Sequence, residues 1–255
     1  IVGTDYNLSN LNTNDIHSIG ILKDAVAVSI YGTRGANGVI LVTTKSGAGA
    51  TPGIPNVSVN AYTGLQSMVT QVDFLDGPQH AAYANEDAEF RNAALPFPDL
   101  ATVPNVDWID QVTHTAPVQN IDVSVSGISE NRNINYYVSG NYFDQEGLVR
   151  ATGISKYVFR TNLDIILSEK FKVGMRVNIA KLKKENNKFS LDNLFLFTTP
   201  TRAIYDEEGN YTALDPITDG IASNYEADIR LKQDHNLETN ILGNLYMEFR
   251  PFSNW

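Results

Sequence analysis

Four histidines, a glycine-rich heptapeptide and two acidic clusters are the residues of this 255-residue chain whose types could do chemistry. His17, His80, His114 and His235 stand apart, with no H-x-x-x-H spacing and no carboxylate at ligand spacing, so the pattern of a zinc site is missing. Glu86, Asp87 and Glu89 fall within an expected helix over Gln79–Ala94 and read as its solvated face rather than as a metal site. Asp206-Glu207-Glu208-Gly209-Asn210 lacks the D-x-D-x-D-G alternation of a calcium loop and reads as a β-turn at a loop tip. The absence of cysteine removes disulfides, thiolate ligands and a thiol nucleophile. No G-x-S-x-G elbow occurs. Tyr137, Phe143 and Tyr205 offer ring faces on which a sugar could stack, although the aromatic girdle of a membrane interface uses the same residue types. The expectation is a protein that is not an enzyme, with no catalytic, cofactor-binding or metal-binding residue and no cofactor; ligand-contacting residues are not legible.

The glycine run Gly32-Thr33-Arg34-Gly35-Ala36-Asn37-Gly38 invites a phosphate-cradling reading, which its setting opposes. A dinucleotide loop follows a strand and opens a helix, so that phosphate meets the helix N-terminus. Here the glycines follow an expected short helix, Ala25–Tyr31, and open an expected strand, Val39–Thr44. Asp24 stands where an N-cap would accept the free N–H groups of that helix, and Gly32 where a residue of positive φ would close it. A tight turn with Gly35 or Gly38 at positive φ is the better account. A short strand at Ile19–Leu22 precedes the helix.

The elements around this turn differ in kind from the rest. Gly47–Pro55 reads as a linker, and beyond it apolar and polar residues alternate with period two over six segments. These are Val57–Leu65, Asn120–Ser126, Asn135–Tyr142, Tyr157–Ile165, Phe171–Ile179 and Leu237–Phe249. Runs of about ten residues approach the 9–11 that a tilted membrane strand needs, where ordinary strands average about 5–6. The gaps also alternate in length: Gly127–Asn133 and Leu167–Phe171 are tight, whereas Gln66–Val118 and Lys183–Leu237 are very long. Short turns on one side and long loops on the other favour a transmembrane barrel over a soluble antiparallel sheet. No apolar run is long enough for a membrane helix, which leaves a barrel open. The net charge of −10 argues against a nucleic-acid partner. On the barrel reading Val123, Val125, Phe159, Leu163, Val173, Val177, Ile241 and Leu245 face lipid, and Ser124, Arg160, Asn162, Arg176 and Asn244 face the lumen. The rival is a soluble β-rich glycan-binding or adhesin module, whose apolar face must be covered by a second sheet of the same chain.

Asp15–Ala25 followed by Ile30–Lys45, with Arg34-Gly35-Ala36-Asn37-Gly38 at its centre, resembles the end of the plug domain of TonB-dependent outer-membrane transporters, and within them the SusC/RagA branch of Bacteroidetes. Val106–Asp110, Asn120–Gly127, Tyr137–Tyr142 and Glu146-Gly147 are similar to the first barrel strands of that family. Val26, Val28 and His17 depart from its usual residues. The resemblance implies a mainly β fold: the N-terminal strands of a transmembrane antiparallel β-barrel, 22-stranded in the family, with part of an α+β plug. The expected division is 1–47 as the C-terminal part of the plug, 48–56 as linker and 57–255 as barrel strands and loops. Six strands cannot close a membrane barrel, so the chain is expected to be a piece of a longer protein.

The function implied is TonB-dependent import of oligosaccharides or oligopeptides across the bacterial outer membrane. Its implied partners are a SusD-like surface lipoprotein, TonB and outer-membrane lipid, with transporter–lipoprotein pairs forming a dimer. The tight turns and the entry of the plug then share the periplasmic rim. Ser67–Pro117 and Lys184–Asn236 fall on the cell exterior.

Overall fold

The computed structural model describes residues 11–23, 31–35, 38–69, 73–186, 194, 198–212, 224–232 and 234–251. Strands β1 (Ile16–Leu22) and β2 (Val39–Thr44) form an antiparallel pair with Ile19 opposite Val42. β1 begins three residues before the expected strand. A 3-10 turn at Thr13–Asp15, capped by the Asn12 side chain, launches it. The expected Asp24 cap and most of the helix Ala25–Tyr31 lie outside the described residues. On the near side of the turn Gly32 has φ +65° and opens a 3-10 turn, Gly32–Gly35. Gly38 has φ +95° and donates its N–H to the Gly35 carbonyl at 2.9 Å. A Cβ on Gly38 would lie 3.3 Å from the Leu22 carbonyl oxygen, so both conformation and approach call for glycine.

The second sheet is an uninterrupted antiparallel meander, β3 (Asn56–Gln66), β4 (Ala116–Ile128), β5 (Ile134–Glu146), β6 (Gly153–Ser168), β7 (Phe171–Asn186) and β8 (Asp234–Phe249). All six segments read from alternation are strands, and each is longer than the alternation suggested. β7, for instance, continues past Ile179 through Lys181 and Lys183 to Asn186. Sixteen residues at about 3.3 Å each reach about 50 Å. That exceeds a hydrocarbon core, and in the surplus of β7 the alternation inverts, with Lys181 and Lys183 exposed on one face and Ala180 and Leu182 buried on the other. Helix α1 (Gly77–Phe90) and the short α2 (Trp108–Val112) lie between β3 and β4, and α3 (Tyr225–Leu231) lies between β7 and β8. α1 starts two residues before the expected Gln79–Ala94 helix and ends four earlier. Its N-terminus is a capping box of Asp76 and Gln79 with proline in the first turn.

The tight β4–β5 and β6–β7 turns share one rim of the sheet with the segment that joins β2 to β3. Pro52 bridges Ile128 there, and the Gly53 N–H donates to the Ile128 carbonyl at 2.8 Å. The expected linker is thus strapped to the end of β4. A Cβ on Gly47 would lie 2.2 Å from the Gly127 carbonyl oxygen, so glycine is what lets the strap lie this close. The opposite rim carries the 147–152 connection and the long segments 67–115 and 187–233.

Register divides the sheet into two faces of inverted character. One row runs Val59, Val123, Gly140, Phe159, Ile179, Ile241, and its neighbour runs Asn60, Asp122, Asn141, Val158. On the apolar face Val123, Phe159, Ile241 and Leu245 are exposed, and no second sheet covers them among the described residues. Val125, Leu163, Val173 and Val177 share that face and are half-buried by their neighbours. On the polar face Asn120, Asp122, Ser139, Asn141, Arg160, Asn162 and Asn178 are buried. Ser124 and Arg176 are half-buried on it, and Asn244 is exposed on the edge strand β8.

Candidate functional site

The polar face is buried because the N-terminal segment lies on it. Asp15, at the foot of β1, is fully buried and accepts a hydrogen bond of 2.7 Å from the Tyr137 hydroxyl on β5. Its other oxygen lies 3.4 Å from Arg160 Nε on β6, a charge contact without hydrogen-bond geometry. The Arg160 guanidinium also donates to Asn178 Oδ1 on β7 at 3.1 Å. The Asn12 amide donates to the Asp122 carboxylate on β4. Just past the end of β2 the Lys45 N–H donates to the Asp15 carbonyl at 2.8 Å, and the Lys45 carbonyl accepts from the Asn162 amide at 2.7 Å. Three consecutive strands of the wall, β4, β5 and β6, therefore hold the paired ends of β1 and β2, and β7 braces Arg160. Ions and amides rather than hydrocarbon make the contact, and each buried polar group needs its partner in place.

Near the strapped rim a second network lies on the same face. The Arg176 guanidinium donates to both Asp164 oxygens at 2.8 Å, and the Tyr246 hydroxyl donates to Asp164 Oδ1 at 2.5 Å. A cavity of about 320 Å³ lies between the 49–52 strap and the wall, lined by Asp164, Lys172 and Arg132 among others.

At the opposite rim the two long segments share an apolar core. Trp108, Val112, Leu194 and Tyr225 are buried together, with Val106, Ile109, Ile204 and Ile229 packed against them. Trp108 and Tyr225 meet edge to face with ring centroids 6.0 Å apart. The Trp108 indole N–H donates to the Thr199 carbonyl at 3.1 Å, and the Val106 N–H donates to the Pro200 carbonyl at 2.9 Å. The 147–152 connection joins this cap through the Thr113–Val149 bridge and the Arg150 N–H to Val112 carbonyl bond. On α3 the Glu226 carboxylate bonds Arg230 and holds its guanidinium above the ordinary value. Burial, then the neighbouring Tyr205 hydroxyl, push the Tyr211 phenol up.

The residues singled out by type scatter among these regions. His114 Nε2 lies 3.3 Å from Glu146 Oε2, so this histidine has a carboxylate partner that its isolation in sequence hid. His80 Nδ1 faces the Thr201 hydroxyl at 3.5 Å, and its ring meets Phe97. His17 and His235 are exposed. Glu86, Asp87 and Glu89 lie on α1, where Asp87 pairs with Arg91 at 3.0 Å. No group of three metal-ligating side chains occurs among the described residues. Asp206 Oδ1 accepts the N–H groups of Glu208 and Asn210, and Gly209 has φ +83°, a closed turn between Tyr205 and Tyr211. Tyr205 stacks on Tyr211 at 5.2 Å and stays exposed. Tyr137 corrects the stacking expectation: it is 3% exposed and spends its hydroxyl on Asp15. Phe143 lies under Lys156. Sequence reasoning missed Asn12 and Asp15 as anchors. The only signal was a carboxylate just before an apolar strand, which also fits a solvated turn.

No family model matches the chain. It is 47% identical to TonB-dependent receptor P26 of Formosa agariphila over 256 residues, which cover all of this chain and 26% of that receptor. It is 34% identical to TonB-dependent receptor SusC of Bacteroides thetaiotaomicron, over 83% of this chain and 20% of SusC. The chain is a segment of a SusC/RagA-type TonB-dependent receptor. The segment spans a fifth to a quarter of the length of these relatives. In fold it matches the RagAB peptide transporter with TM-score 0.71 over 96% of this chain and 31% of that one, at 23% identity. The closed-closed RagAB peptide importer gives 0.69 at 22% identity. The mainly β architecture of the receptor segment is thus a partial barrel wall with plug structure against it.

Proposed function

We propose that the receptor segment belongs to an outer-membrane importer that takes in oligosaccharides or oligopeptides under TonB control and catalyses no reaction. Residues 1–47 form the C-terminal part of the plug, 48–56 the linker and 57–255 the first barrel strands and their loops. The observation that carries this reading is the inversion of the sheet: its apolar face is bare and its polar face is covered by the N-terminal segment. A lipid-embedded wall around a polar lumen needs that arrangement. The soluble glycan-binding or adhesin module needs the reverse, and among the described residues nothing covers the apolar face.

The strapped rim is periplasmic and is where TonB pulls. A pull shifts the equilibrium between docked and released plug, which the polar contacts at Asp15 and Asp122 hold on the docked side. The rim with the Trp108 core faces the exterior and receives a SusD-like lipoprotein, and transporter–lipoprotein pairs associate as a dimer. Loops at that rim carry recognition, and the cap built from both long segments offers a preformed surface for it.

Two experiments test the reading. The full receptor should partition with the outer membrane and leave it only with detergent; release by salt or alkaline wash refutes the barrel. Deletion of Asp206–Thr218, of which 213–218 lie outside the described residues, should reduce co-purification of the lipoprotein and substrate uptake. Unchanged binding and uptake would remove that loop from the mechanism. Labelling of the loop only from the periplasmic side would reverse the topology.

A further inference from the structure

The apolar face of the sheet is not uniform. An open groove of about 460 Å³ crosses it, lined by Ile121, Val123, Gly140, Tyr142, Phe159 and Lys181 among others. Its floor is Gly140, where a Cβ would meet nothing within 4 Å, so the missing side chain leaves a slot between Val123 and Phe159. The next row along the strands is Ile121, Tyr142, Tyr157 and Lys181. Tyr142 and Tyr157 lie with ring centroids 5.0 Å apart and close the slot beside Lys181. Beyond them the row Asp144, Ser155, Lys183 is polar.

This position has a depth. On β7 the outward residues Phe171, Val173, Met175, Val177 and Ile179 are apolar, and Lys181 is the first that is not. Ten residues at about 3.3 Å, on a strand tilted about 40°, rise about 25 Å, the height of the apolar band of an outer-membrane barrel. Lys181 therefore stands at the border of the band on the rim opposite the strap.

The charges facing this spot are accounted for as follows. Lys183 pairs with Glu185 at 2.5 Å, and Asp144 Oδ1 accepts from the Ser155 hydroxyl at 2.6 Å. Lys181 has no ion-pair partner among the described residues. A cation at the head of an apolar slot, at headgroup depth, complements an anionic group carried on an acyl chain. The chain's net charge of −10 makes diffuse attraction of anions a poor explanation for such a seat.

We propose that this groove seats one phosphate-bearing glycolipid of the outer leaflet, with an acyl chain over Gly140 and a phosphate on Lys181. The proposal rests on the barrel reading above, because only that reading turns this face to lipid.

The test uses the full receptor, delipidated in detergent and titrated with diphosphoryl lipid A or its dephosphorylated form, with native mass spectrometry counting bound lipid. Wild type should bind one diphosphoryl molecule more tightly than the dephosphorylated one. Lys181→Ala should weaken the diphosphoryl form about fivefold and erase the difference between the two. Gly140→Leu fills the slot without a backbone clash and should weaken both forms alike. Lys170→Ala, at the opposite rim, should change neither. Heat-modified gel mobility checks that each variant is folded. Equal binding of the two lipids to wild type, or Lys181→Ala binding like wild type, means an annular lipid only and overturns the seat while leaving the barrel intact. A receptor that needs no detergent overturns the barrel reading itself.

Discussion

The receptor segment is held together in two different ways at its two ends. At the strapped rim and along the lumenal face, Asp15, Arg160, Tyr137, Asn12 and Asp122 join the N-terminal segment to the wall through charge and amide contacts. At the far rim, Trp108, Val112, Leu194 and Tyr225 join two long segments through hydrocarbon. The contrast fits the roles proposed for the two junctions. Apolar packing is non-directional and tolerates small shifts, which suits a cap that must stay formed. A buried polar junction holds one register strongly and loses nearly everything once displaced, since its groups can then be rehydrated. That suits the docking and release proposed for the plug.

The largest expected effect is at Asp15. Asp15→Ala leaves the buried Arg160 charge and the Tyr137 hydroxyl without their partner, a loss of about 3–5 kcal/mol of docking free energy. Limited proteolysis should then cut the N-terminal segment while sparing the strands, and Asp15→Leu with Arg160→Met should recover much of the protection. Unchanged protection in Asp15→Ala would show that apolar contacts hold the docking after all. Trp108→Ala should cost about 3 kcal/mol, toward the low end for a buried tryptophan because rim segments can relax into the space. Its mark is proteolysis within 67–115 and 187–233, with the N-terminal segment still protected. Cleavage of both regions in either variant would mean that the junctions are coupled and the contrast is false.

Two glycines sharpen the picture within the wall. A Cβ on Gly174 would lie 2.2 Å from the Tyr246 ring, so Gly174→Ala displaces that ring from Asp164 at about 1–3 kcal/mol, seen as lower heat stability of the folded barrel. Gly140→Ala meets nothing and should stay within about 0.5 kcal/mol of wild type. The smallest effect is at α1. Asp76→Ala removes the capping box and should loosen that helix by about 1 kcal/mol, measured as faster amide exchange at Gln79 and His80 with no change elsewhere.

How much could be read beforehand varied with the range of the interaction. Alternation located all six wall strands because lipid or solvent on one face and polar groups on the other write a period of two into the residues themselves. Their ends were less legible: β7 runs on from Ile179 to Asn186 through residues that are polar on the outward face, where no apolar surroundings impose a pattern. The α1 cap was available in Asp76-Gly77-Pro78-Gln79, and its register still moved by two residues at the start. Tyr137 shows the limit most clearly. Its type suggested a stacking surface, whereas its place in the lumenal row makes it a hydrogen-bond donor to a carboxylate 122 positions away.

The sequence by itself determined the class of this protein, its strand count, the side from which each connection leaves, and the glycines of the Gly32–Gly38 turn. These depend on neighbours within a few residues: side-chain alternation, backbone φ, cap chemistry and loop length. Only the tertiary structure decided that Asp15 and Arg160 are partners, that the 48–56 strap lies on the end of β4, that 67–115 and 187–233 share one core, and that Gly140 opens a slot beneath Lys181. Each of these joins residues far apart in the chain, and a residue's own type carries no record of which distant group will lie against it once the strands are in register.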